Sequence, residues 1–170
     1  MKRLAKGSQP SFVFPVLLAL CLIVLGAVPP CLAQSGPPPK PAELMPGSAV
    51  LISPEELAKI LQSPGAQKPL ILSIGPRLLY AQAHIAGAEF IGPTADPEAL
   101  QRLRDRIRDL PRNTFLVLYC GCCPWSRCPN VEPAYRELRR LGFTKAKVLY
   151  IADNLGTDWV YKGYPTAKSQ

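Results

Sequence analysis

The 170-residue chain is poor in histidine, in acids and in aromatic residues. It holds one histidine, so a histidine general base has His84 as its only candidate. Twelve acidic residues stand against twenty basic ones, a formal charge of +8. Aromatic residues make up 8% and do not interleave with the arginines. Arg102, Arg104, Arg106 and Arg108, and Arg136, Arg139 and Arg140, therefore read as solvated helix faces and not as a nucleic-acid surface. No glycine-rich phosphate fingerprint follows a strand-like run, so nothing points to a nucleotide site. No internal repeat is visible either.

What is there begins with a basic, acid-free start, Met1-Lys2-Arg3-Leu4-Ala5-Lys6. An apolar stretch from Phe12 to Val28 follows, then Pro29-Pro30 and Cys31-Leu32-Ala33, the small-residue end of a secretory signal. The expected organisation is a signal peptide over 1–33, a proline-rich linker over 34–47 and one domain over 48–167. Retention of the leader as a membrane anchor is the alternative, since the run approaches bilayer length. Neither Cys21 nor Cys31 has the small residue expected before a lipidated cysteine. Removal of the leader takes Lys2, Arg3 and Lys6 with it and leaves a charge of +5. The expected location is exported, periplasmic or secreted. Pro37-Pro38-Pro39, Pro41 and Pro46 make the linker an extended tether. The remaining 120 residues suffice for one ordinary domain.

Within that domain, strand and helix signals alternate. Ser53-Pro54-Glu55-Glu56 starts a helix with Leu57, Ile60 and Leu61 on one face. Leu70–Ile74 is an apolar strand ended by Gly75-Pro76. A short helical segment over 78–83 leads to His84-Ile85-Ala86-Gly87-Ala88, and Phe90-Ile91 forms a further short strand. Asp96-Pro97-Glu98 caps a helix with Leu100, Leu103, Ile107 and Leu110 as its buried stripe. The run Phe115-Leu116-Val117-Leu118-Tyr119 is a buried strand. Pro133 sits in the first turn of a helix that reaches Leu141 and stops at Gly142. A strand over 148–151 and a short helix over 158–162 follow. The economical arrangement is α/β: a small parallel sheet flanked by helices on both faces.

The central strand hands over directly to Cys120, and Cys122, Cys123 and Cys128 follow within nine residues. In open parallel sheets ligand chemistry gathers at the carboxyl ends of strands. A loop between strand end and helix start collects backbone N–H groups and the positive end of the helix dipole. A thiol placed there, with Arg127 close in sequence, is expected to be acidified. Such a thiolate suits sulfur transfer through a persulfide, thiol–disulfide exchange or coordination of a soft metal. Cys120, nearest the strand and poised at the mouth of the β/α junction, is the expected nucleophile.

The segments Ile52–Leu57, His84–Ala88, Leu116–Cys120, Leu138–Phe143 and Trp159…Gly163-Tyr164-Pro165, in this order and spacing, resemble the rhodanese family of sulfurtransferases. The resemblance spans residues 48–166. It implies a rhodanese-like fold in which Cys120 carries the persulfide, loaded by a small sulfur-donor anion such as thiosulfate and unloaded by a thiophilic acceptor. Gly121, Cys122, Cys123, Trp125, Ser126 and Arg127 are then the substrate-binding candidates, and the amides of residues 121–125 stabilise the anionic intermediate. No cofactor, metal or nucleic acid is expected, contact with a membrane comes only through an uncleaved leader, and the domain is expected to be a monomer. His84 takes a structural place beside the sheet, and Trp159 a place in the core.

The chain departs from the family in two places. The Asp-x-Arg pair usual at the end of the second strand reads Ser73-Ile74-Gly75, with Arg77 the nearest basic residue. The cysteine loop is also longer than in compact single-domain relatives. Four other readings of that loop stand beside sulfur transfer. The thiols are inert and buried; a pair such as Cys123–Cys128 is bridged; the loop is a zinc, copper or partner-binding module; or Cys122, Cys123 and Cys128 form the redox couple of an oxidoreductase.

Overall fold

The computed structural model describes residues 50–169. The expected leader and linker lie outside the described residues. Among the described residues, no helix is long and apolar enough to cross a membrane.

Five short strands form one parallel sheet: β1 (Leu51–Ile52), β2 (Leu70–Ser73), β4 (Glu89–Phe90), β5 (Leu116–Tyr119) and β6 (Ala146–Leu149). Their spatial order is β1-β6-β5-β2-β4. A separate antiparallel pair joins β3 (His84–Ile85) to β7 (Thr166–Ala167). β5 lies at the centre, with Leu116 opposite both Leu70 and Ala146 and Tyr119 opposite Ser73. All four of its residues are buried, the physical reason its sequence is a continuous apolar run.

The pleat sorts the strand residues into two cores. Leu72, Leu116, Leu118 and Val148 face α3 (Pro97–Ile107) and α4 (Val131–Arg140), against Leu103, Ile107, Ala134 and Leu138. Ile71, Val117, Tyr119 and Leu149 face α1 (Pro54–Gln62), against Leu57 and Ala58, with Trp159 fully buried beside them, and the short α2 (Arg77–Gln82) leads from β2 to β3. Alternation carries past the end of β5: Cys120 belongs to the same core as Leu116 and Leu118. Truncating Leu118 to alanine would cost about 2–5 kcal/mol, the usual range for a core leucine.

The helix boundaries have local causes. Ser53 Oγ accepts the Glu56 N–H at 3.1 Å and Asp96 Oδ1 the Glu98 N–H at 2.9 Å, each ahead of a proline in the first turn. α4 ends as the Gly142 N–H donates to Arg139 and the Phe143 N–H to Leu138, both at 3.0 Å. That double closure needs a left-handed residue, and Gly142 supplies it at φ +84°. Two ion pairs to the buried Glu137 hold the junction of α3 and α4: it accepts from Arg104 at 2.8 Å and from Arg140 at 2.6 Å, both arginines lying at the surface.

The sequence reading held no counterpart of β1, β3 or β7, and two of the elements it did contain differ most in their bounds. β6 begins at Ala146, where its ladder to Leu116 starts, and ends at Leu149; Ile151 instead accepts the Trp125 N–H at 2.9 Å. The last helical segment is a single π-helical turn over Gly156–Val160, closed by the Tyr161 N–H on the Gly156 carbonyl. It begins early because Asn154 Oδ1 accepts the Thr157 N–H at 3.0 Å and its carbonyl accepts the Asp158 N–H at 2.9 Å.

Candidate functional site

Cys120 follows the last residue of β5, and the chain then loops over the carboxyl end of the sheet before entering α4. Two backbone bonds tie the loop to the segment after β6: Leu155 N–H to Gly121 O at 3.0 Å, and Trp125 N–H to Ile151 O at 2.9 Å. A 3-10 turn over Trp125–Arg127 folds the chain back, with the Cys128 N–H donating to Trp125 O at 3.3 Å. This return brings Cys128, fully buried, to Cys120.

The four sulfurs consequently gather in one place, all within 4.8 Å of one another. Cys120 and Cys122 Sγ atoms are 3.2 Å apart, as are those of Cys122 and Cys123. All four cysteines of the loop are free thiols in the structure, Cys123 and Cys128 among them.

Cys120 sits in a setting that favours its anion. The Cys128 thiol donates to its sulfur, burial opposes, and the Cys122 backbone N–H and the Asn130 side chain add further donors. Together they hold the Cys120 thiol down to about 5. The neighbours move the other way. Cys128, its proton engaged by Cys120, is pushed up, and burial with the Cys123 and Cys120 contacts pushes Cys122 up. One negative charge is therefore shared by a nest of thiol and amide donors and concentrated on Cys120.

Asn130, which the sequence reading passed over, and Gly75, which it named only as a strand end and as the place of the missing arginine, complete the site. Asn130 is 5% exposed and aims Nδ2 at Cys120 Sγ, 3.6 Å away. Its Oδ1 accepts the Ala95 N–H at 3.1 Å, and its carbonyl accepts the Thr94 hydroxyl at 2.5 Å. The only sequence signal was an amide between the last cysteine and a helix start. Gly75 occupies the place of the family's basic residue, and a Cβ there would lie 3.2 Å from Cys120 Sγ. The missing side chain leaves room for the sulfur.

A cavity of about 440 Å³ opens beside the loop, lined by Ser73, Gly75, Tyr80, Tyr119, Gly121 and Cys122 among others. Cys122 is exposed and forms part of its wall. Cys120, expected at an open mouth, is instead 2% exposed and lies behind Cys122. Its alternation into the α3/α4 core is the reason. Cys123 is half-buried, while Trp125, Ser126 and Arg127 stand off this cavity on the 3-10 turn. Trp125 anchors the loop against the core and lies 6.4 Å from the Tyr150 ring. Its N–H is taken by Ile151, so of the amides expected to cradle an anion the Trp125 one is already engaged.

The remaining candidates have structural partners. His84 is buried, stacks on Tyr80 with ring centroids 3.9 Å apart, and pairs Nδ1 with the Tyr80 carbonyl at 2.8 Å. Arg77 lies over the Phe90 ring at 4.3 Å, so it does not restore a buried charge pair beside Ser73. Ser73 instead bonds to the Tyr119 hydroxyl, which burial pushes up to about 12 and keeps neutral.

A family model described as rhodanese-like domain matches residues 53–151. The chain belongs to that family. Its rhodanese-like domain is similar in fold to solved relatives, at low identity. The crystal structure of the Alr3790 protein from Anabaena is 22% identical, covers 69% of this chain and 92% of that one, and has a TM-score of 0.53. The solution structure of the rhodanese-like domain of the same protein gives 22%, 70%, 79% and 0.51 in the same order. The BH2092 protein from Bacillus halodurans gives 16%, 71%, 78% and 0.53. No curated protein matches the chain. The α/β architecture, with its parallel five-stranded sheet, is the one the family resemblance implies.

Proposed function

We propose that this rhodanese-like domain is a sulfurtransferase that passes sulfane sulfur through a persulfide on Cys120. The single observation that carries the reading is the convergence of the Asn130 side chain and the neighbouring thiols on a strand-end sulfur, an arrangement that lowers the Cys120 thiol from its ordinary value. At neutral pH that group is a thiolate, the form that attacks sulfur.

With thiosulfate as donor, the Cys120 thiolate attacks the outer sulfur. The S–S bond of the donor breaks and sulfite leaves with its electron pair. The persulfide anion then sits among the thiol and amide donors that favoured the thiolate. A thiophilic acceptor, cyanide or a thiol, attacks the terminal sulfur and frees the Cys120 thiolate. Both steps balance without an outside oxidant or reductant. The donor enters through the cavity, and rotation of the exposed Cys122 side chain about χ1 uncovers Cys120. Such rotations of surface side chains take picoseconds to nanoseconds and do not limit turnover. The charge of +5 left after leader removal favours an anionic donor.

Export, to a periplasmic or secreted location, is part of the same proposal. Its support is the basic start and apolar run of residues 1–33, and N-terminal sequencing of the protein from its native host tests it. For the chemistry, the test is thiosulfate-to-cyanide transfer by the wild type and by Cys120→Ser. Loss of transfer in the variant, with an unchanged fold by circular dichroism, is expected. Undiminished transfer overturns the assignment.

A further inference from the structure

Sulfur transfer uses Cys120 and needs Cys122 only to move aside. It leaves Cys123 without a task and uses the fully buried Cys128 only as a donor to Cys120, although the loop folds back on itself to bring both in. Four sulfurs within 4.8 Å of one another is a separation with a chemical meaning. Four thiolates about 2.3 Å from a tetrahedral zinc ion are mutually about 3.8 Å apart. The closest pairs here, at 3.2 Å, need to open by only about half an ångström to reach that spacing. The group contains no histidine and no carboxylate, and a purely sulfur donor set selects soft ions over magnesium or calcium.

The surroundings of the sulfurs agree. Cys120 receives the Cys122 backbone N–H and the Asn130 side-chain amide, and Cys128 receives the Asn130 backbone N–H. N–H donors to sulfur orient and support metal-bound thiolates, and Asn130 serves two of them. Two ligands are held rigidly, Cys120 by β5 and Cys128 by the 3-10 turn. The other two, Cys122 and Cys123, lie toward the surface, where an ion would arrive.

We propose that Cys120, Cys122, Cys123 and Cys128 form a four-thiolate site for one thiophilic d10 cation, Zn²⁺ or Cu(I), and that an ion bound there silences Cys120 as a sulfur acceptor. On binding, each thiol that still carries a proton releases it to solvent, and each sulfur gives a lone pair to the ion. The lone pair that Cys120 gives is the one that attacks sulfane sulfur, so one sulfur cannot serve both. The silencing clause rests on the proposed transfer function; the binding clause stands without it.

The test uses the full chain, reduced and desalted under anaerobic conditions. It is titrated with Co²⁺ as a spectroscopic probe, then with Zn²⁺, and separately with Cu(I) in a chelator competition. One equivalent of Co²⁺ is expected, with intense thiolate-to-cobalt charge transfer and tetrahedral d–d bands. Zn²⁺ should displace it, or Cu(I) should bind in its place, and the arm with the tighter binding identifies the ion. All four thiols should then resist alkylation. Cys123→Ser and Cys128→Ser should each weaken binding by roughly tenfold or more, and Asn130→Ala by roughly tenfold. Absence of stoichiometric binding of any of the three ions overturns the proposal. So does binding that Cys123→Ser leaves unchanged; Cys123 is half-buried, so that variant reports even if Cys128→Ser misfolds.

Sulfur loading from thiosulfate is measured on the same samples, with and without the ion, each variant against its own metal-free rate. Loading that the ion suppresses in the wild type and not in Cys123→Ser supports silencing, and loading unaffected by a bound ion overturns it. Loading with no metal binding removes the site and leaves the transfer reading standing. Metal binding with no loading by the metal-free chain removes the transfer reading and leaves the site.

Discussion

Asn130 Nδ2 lies 3.6 Å from Cys120 Sγ, so the residue that leads into α4 touches the thiol that closes β5. The two ends of the cysteine loop are thus joined at the site itself. Asn130 is held in turn by the Ala95 N–H and the Thr94 hydroxyl. The thiol's electrostatic setting therefore depends on a residue ten positions away in sequence.

Replacing Asn130 with alanine removes one donor to the thiolate. A hydrogen bond to a charged group contributes about 1.5–3 kcal/mol, and this long one belongs at the low end. The Cys120 titration, followed by thiolate absorbance in the ultraviolet, is expected to move upward by about one pH unit. A titration that does not move would mean that Asn130 only braces the loop.

The pH dependence of reactivity has a definite sign. Cys120 is acidified, so its thiolate is lost as pH falls through about 5 and is complete above it. The rate of Cys120 modification by iodoacetamide, resolved by peptide mapping, should rise from pH 4 to about 6 and then level off. A rate still climbing steeply at pH 8 would indicate an ordinary thiol.

Gly75→Ala places a methyl group 3.2 Å from Cys120 Sγ and 3.5 Å from the Gly121 nitrogen. The contact to the backbone is an ordinary one, so the sulfur is what must give, by a few tenths of an ångström. Overfilling of this kind costs about 1–3 kcal/mol. Sulfur loading should fall together with the melting temperature, and Gly75→Ser should behave in the same way. Unchanged loading and stability would show that the loop absorbs the methyl group.

Much of the fold was legible because buried parallel strands and capped helices write strong local patterns. Leu116–Tyr119 is apolar at every position because both faces of β5 are covered; Ser53 and Asp96 mark helix starts through their side-chain oxygens, and Gly142 marks a helix end through its backbone N–H. β1, β3 and β7 are two residues each, too short for any periodicity, and depend on partners far along the chain. β6 was misplaced at both ends because Lys147, half-buried within it, reads as surface, while Ile151 is buried outside it. At the site, the position of Cys120 was readable as the residue after the strand. Its burial behind Cys122, and the return of Cys128, were not. Both arise from the 3-10 turn and its bonds to the segment after β6, which no local pattern announces.

The junction of α3 and α4 predicts a second pH effect, on stability. Arg140 and then Arg104 hold the Glu137 carboxylate down to about 2, below the ordinary value of 4.5. The folded state therefore gains stability above the ordinary carboxylate range and loses it as pH falls from about 4.5 toward 2. Both arginines are substantially exposed, so solvent screens the pair, and Glu137→Gln is expected to cost about 1–2 kcal/mol at pH 7. Urea unfolding at pH 7 and pH 3 checks this, since the difference between wild type and variant should shrink at the lower pH. A difference that stays constant would remove the ion pairs from the explanation.

The most direct test of the central claim is the intact mass of the reduced, metal-free chain after thiosulfate treatment, followed by peptide mapping. One added sulfur atom is predicted, located on the peptide that carries Cys120, absent in Cys120→Ser and removed by a thiol acceptor. A chain that gains no sulfur, or a Cys120→Ser variant that still gains it, would contradict the account.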